Sequence, residues 1–92
     1  MPTNLYTIIC EFRGGTYASQ VRACDELEAV RSWAEKIRLE RPIPRSSLYV
    51  SRSVVRDLDV FGVSPLDGLD GVWCFGGTVG KDSVLANIVL TR

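Results

Sequence analysis

Whatever chemistry this 92-residue chain performs, it performs without histidine. That removes the commonest general base, the commonest metal ligand and every nucleophile of the Ser-His or Cys-His kind. Cys10, Cys24 and Cys74 are odd in number and lack metal-type spacing, so they read as free thiols of a reducing cytoplasm. Cys10 shares one side of an alternating stretch with Ile8 and Phe12, where a thiol behaves as a small hydrophobe. Cys24 stands just ahead of a helical pattern whose N-terminus would lower its pKa, and Asp25 and Glu26 oppose that shift.

Two stretches approach ligand motifs and then depart from them. Phe75-Gly76-Gly77-Thr78-Val79-Gly80-Lys81-Asp82-Ser83 would need glycine at Phe75 and a hydroxyl at Asp82 to be a phosphate-binding loop. Its Gly-Lys reads better as a hairpin turn. Asp57-Leu58-Asp59 followed by Gly62 is similar to the opening of a calcium loop, but the third ligand position and the closing glutamate are missing. The expectation is a non-enzymatic protein with no catalytic, cofactor-binding or metal residues.

Charge is the remaining signal. Eleven basic and eleven acidic residues cancel formally, yet they are not mixed evenly. Residues 1–56 hold nine basic and six acidic residues, whereas residues 57–82 hold five aspartates against Lys81 alone. Lys36, Arg38, Arg41, Arg45, Arg52 and Arg56, with Tyr49 among them, form a basic zone interrupted by Glu40. Such a zone suits nucleic acid when exposed aromatics accompany it, although a pI near 6.2 argues the other way. Asp57, Asp59, Asp67 and Asp70, with Leu66 and Leu69, form the candidate partner-binding set for a basic protein.

The elements that must position these residues start with a helix over Asp25–Arg41. Asp25 and Glu28 suit a capping box, Leu27, Val30, Trp33, Ala34 and Ile37 line one face, and Pro42 ends the run. Leu5–Arg13 and Thr16–Ala23 alternate around Gly14-Gly15, which predicts a hairpin with Phe12 opposite Tyr17. Val72–Val79 and Ser83–Thr91 predict a second hairpin around Gly80-Lys81, with Trp73 meeting Ile88. Ser47–Val54, rich in Leu, Tyr and Val, reads as a third strand with Leu48 and Val50 inward. Residues 55–71 then form a long loop, repeating Leu66-Asp67-Gly68 as Leu69-Asp70-Gly71, and long loops are functional suspects. The predicted architecture is a single α+β domain over residues 1–92. It is a two-layer sandwich with one helix on a mostly antiparallel sheet, in the order β-β-α-β-β-β. No apolar run is long enough for a membrane span, and the opening Met-Pro-Thr-Asn lacks the features of a signal peptide.

Gly15-Thr16-Tyr17-Ala18-Ser19, then Leu27-Glu28-Ala29-Val30 and Trp33-Ala34, resembles the strand-into-helix passage of HicB-type antitoxins. The resemblance covers a minor part of the chain, which lacks the Pro-Gly-Cys-containing strand those proteins carry before the helix. It implies a module that neutralises a toxin. The function expected is a protein-binding module of immunity, antitoxin or regulatory type, presenting residues 57–71 to its partner. The alternative is a small nucleic-acid-binding domain using residues 36–56. A homodimer through an edge strand is compatible with the same pattern.

Overall fold

The computed structural model describes residues 2–92. Strands β1 (Asn4–Phe12) and β2 (Gly15–Ala23) precede helices α1 (Glu26–Glu40) and α2 (Ser47–Phe61), and strands β3 (Ser64–Pro65), β4 (Val72–Val79) and β5 (Asp82–Leu90) follow. The strands form one antiparallel sheet in the order β2-β1-β5-β4-β3. Central pairing of β1 with β5 joins the two hairpins side by side. No helix among the described residues is long and apolar enough to cross a membrane.

The first hairpin turns one residue earlier than the sequence suggests. Arg13 and Gly14 occupy the turn at φ 48° and 79°, the left-handed pair that a tight hairpin turn requires. Phe12 therefore faces Gly15, and Tyr17 faces Cys10 rather than Phe12. The slip spans two residues, so every side chain stays on its expected face. Gly15 lies under the Tyr17 ring, and a Cβ there would sit 2.6 Å from the Tyr17 hydroxyl unless that side chain moved. The second hairpin turns at Gly80-Lys81 and pairs Trp73 with Ile88, as expected.

Helix α1 starts at its cap. The Glu28 N–H donates to Asp25 Oδ1 at 2.8 Å, while Glu28 Oε2 accepts from the Cys24 N–H at 3.3 Å. Ala29, Val30, Trp33, Ala34 and Ile37 are buried, and Leu27 is not. Arg41 closes the helix in a left-handed conformation, donating its N–H to the Ile37 carbonyl.

The single-helix prediction is wrong, and so is the order β-β-α-β-β-β. Ser47–Val54 is not a strand but the first half of α2, which also absorbs residues 55–61 of the supposed loop. Ser47, Val50, Ser51, Ser53, Val54, Asp57 and Leu58 are the buried positions, and all but Ser53 fall at i, i+3, i+4, i+7, i+10 and i+11 as a helix demands. Serine at three buried positions hides that period. Ser47 and Ser51 stay buried because their hydroxyls are satisfied locally, Ser51 donating to the Ala34 carbonyl at 2.7 Å and Ser47 to that of Ile43 at 2.9 Å. Small side chains there let the helices approach, so the carbonyl of one helix accepts directly from the other.

Both helices pack on one face of the sheet, α1 against β2 and β1 and α2 against β4. Tyr6, Ile8, Cys10, Phe12, Phe75, Val84, Ala86 and Ile88 meet Trp33, Ile37, Val50 and Val54 in the core. The other face of the sheet, which carries Ile9, Ala18 and Leu85, stays open. Trp33 is 1% exposed and is the largest fully buried side chain. Trp33→Ala is expected to cost about 3–5 kcal/mol in chemical denaturation; a loss below about 1 kcal/mol would contradict this core.

Candidate functional site

The aspartates grouped by the sequence are separated by the structure. Asp57 is buried on α2, where its carboxylate accepts from Arg56 at 2.9 Å (Nε) and from the Thr78 N–H at 2.9 Å. Arg56 also donates to the Thr78 carbonyl. This arrangement seats α2 on β4, and Gly77 makes room for it, since a Cβ there would meet Asp57 Oδ2 at 2.9 Å. Asp59 lies on the exposed side of α2 and pairs with Arg31 of α1 at 3.2 Å. Asp67 and Asp70 alone remain on a loop, the short connection between β3 and β4, with Leu69 57% exposed beside them and Leu66 half-buried. Leu66 anchors that loop by donating its N–H to the Val72 carbonyl.

The basic zone is gathered rather than scattered. Lys36 leaves it, donating to the Gln20 carbonyl on β2 at 3.0 Å. Two cavities on the helical layer collect the arginines. One, of about 370 Å³, is lined by Arg41, Arg45 and Arg52 with Ile43, Ser47, Leu48 and Tyr49. The other, of about 500 Å³, lies between the helices and takes Arg31, Arg38, Arg52 and Arg56, with Leu48 and Val55 as its apolar part and Glu35 as its one acid. Leu48 and Arg52 line both, so the two are parts of one surface.

Six of the chain's eleven basic residues and one of its eleven acidic residues line this surface. The lining carries a formal charge of +5, which becomes +3 once Asp57 and Asp59, paired with Arg56 and Arg31, are counted. Arg38 is held by Glu35 at 3.0 Å, and Arg31 and Arg56 by the aspartates of α2. Arg41, Arg45 and Arg52 have no carboxylate within 4.0 Å among the described residues. The uncompensated charge is therefore concentrated in the smaller cavity, where Tyr49 is 60% exposed. Arg41 and Arg45 also hold left-handed backbone conformations, at φ 51° and 62°, which are uncommon for a residue with a side chain.

The sequence located five of these six arginines and the tyrosine. Arg31 was missed, along with the apolar pair Leu48 and Val55. Positions 48, 52, 55, 56 and 59 form the outward stripe of α2, which becomes visible once 47–61 is read with a period of 3.6.

The cysteines are all unpaired. Burial raises the Cys10 thiol to about 11, with Glu11 adding to it. Cys24 is raised chiefly by its contact with Glu28 and not lowered by the helix end.

Arg56 holds the Asp57 carboxyl below its ordinary value of 3.8, and the Thr78 N–H adds to the effect against the opposing cost of burial. A depressed folded-state pKa stabilises the protein above the unfolded value, and that contribution is lost as pH falls through the folded one. The urea midpoint of the parent is thus expected to drop as acid is added below about pH 4. Asp57→Asn should lose about 1–3 kcal/mol at neutral pH and show a shallower acid dependence. Parallel curves for parent and variant would contradict the role given to Asp57. Comparison of the chain with protein-family models, with curated proteins and with solved structures finds no match.

Proposed function

We propose that this protein is a non-enzymatic binding module whose working surface is the arginine-lined helical layer, and that its partner is nucleic acid. The observation that carries the reading is the gathering of six arginines on adjoining cavities of a chain with no net charge, three of them without a carboxylate partner. Arginine matches phosphate geometry through its planar fork of donors, and Tyr49 supplies the exposed aromatic that such a surface uses. Local concentration of charge, not the pI, decides the field a polyanion meets. Three unpaired thiols suit a reducing compartment such as the cytoplasm.

A second reading keeps the expected protein partner. Leu69, exposed beside Asp67 and Asp70 on the β3–β4 loop, supports a small apolar and acidic contact for a basic protein of toxin or regulatory type. Asp57 and Asp59 add less to it, being engaged by Arg56 and Arg31.

Titration of labelled RNA and DNA at graded salt separates the two. Binding should weaken steeply with salt, because arginines displace counterions from phosphates. Changing Arg41, Arg45 and Arg52 together to Gln should make the log–log slope shallower by about 2 to 3. Changing Asp67 and Asp70 to Asn should leave nucleic-acid affinity within about twofold, since loss of loop acid removes no phosphate contact. Absence of binding at micromolar protein and low salt would overturn the nucleic-acid reading and leave the loop as the surface to pursue.

A further inference from the structure

We infer that the cavity at the start of α2 takes a single unpaired nucleotide, its phosphate among Arg41, Arg45 and Arg52 and its base against the ring of Tyr49. This rests on the nucleic-acid reading above and makes it specific to single strands. The cavity is lined by three arginines and by no carboxylate-bearing residue. No carboxylate of the described chain pairs with them, so an anion arriving from outside meets their unneutralised charge. The start of α2 adds to the field: Ser46 makes no side-chain capping bond, and no acidic residue stands in the first turn. At α1, by contrast, Asp25 caps and two glutamates occupy the first turn.

Tyr49 turns phosphate binding into nucleotide binding. It lines the same cavity as the three arginines and is 60% exposed, next to the half-exposed Leu48. An open aromatic face beside a phosphate site is how single-stranded strands are held without sequence preference, each base stacking on a ring. Duplex is disfavoured by the same geometry. Its bases are already stacked on one another, so none offers Tyr49 a free face.

The test is fluorescence anisotropy with three probes of equal length: oligothymidine, the matching abasic strand and a duplex. Parent protein, Tyr49→Ala and Tyr49→Phe are compared, with folding checked by circular dichroism. Oligothymidine is expected to bind more tightly than either other probe. Tyr49→Ala should weaken oligothymidine by about tenfold and leave the abasic strand unchanged, while Tyr49→Phe keeps parental affinity. Equal binding of duplex, equal binding of the abasic strand, or an unaltered Tyr49→Ala would each overturn this inference while leaving the arginine surface in place. Polyglutamate displacing oligothymidine as well as unlabelled strand does would overturn it in favour of an acidic protein. Failure of all three probes to bind would overturn both readings.

Discussion

The seat of Asp57 is the constraint on which the placement of the second helix depends. A carboxylate buried between α2 and β4 is costly to desolvate, and it persists because Arg56 and the Thr78 N–H both donate to it. Among the described residues no buried side-chain polar atom lacks a partner. With Asp57 turned inwards, Val50, Val54 and Leu58 follow it into the core by helical spacing. Leu48, Arg52, Val55 and Arg56 are thereby turned out. Ser51 fixes the helix against α1, so Arg31, Glu35 and Arg38 come to face the same groove. The arginine surface is a consequence of how the core closes.

That surface gives the neutral composition a different meaning. A formal charge of zero describes a molecule that keeps three arginines without a carboxylate partner on one surface. Ion pairs within the helical layer use three of its arginines, and the two exposed pairs, Arg31–Asp59 and Arg38–Glu35, contribute little stability. The three that remain all belong to the turn between the helices or to the start of α2. Two of them occupy backbone positions where glycine would be the easier choice.

Much of the fold was legible because most elements obey a clean period. Strands β1 and β2 alternate, β4 and β5 alternate around a Gly-Lys turn, and α1 has a cap, an apolar stripe and a stop. The register of the first hairpin was not legible to the residue, since Arg13-Gly14 and Gly14-Gly15 both satisfy the turn and both preserve the faces. Helix α2 was missed because Ser47, Ser51 and Ser53 fill buried positions with polar letters, while Tyr49, Val54 and Val55 argue for a strand. That one error moved Asp57 and Asp59 onto an imagined loop and created an acidic cluster. The basic zone survived it, because contiguity in sequence here coincides with contiguity across the helix–turn–helix junction; Arg31 lay outside that window and could be placed only by the packing of α1 on α2.

The most direct test of where this protein binds is a set of amide NMR spectra of isotopically labelled protein, recorded while unlabelled single-stranded oligonucleotide is added. The surface described predicts shifts concentrated at residues 38–56, at the end of α1, the connection and the first turns of α2, with Arg31 joining them from α1. Shifts confined to residues 66–71 or to the open face of the sheet would contradict it, as would spectra that do not change at all.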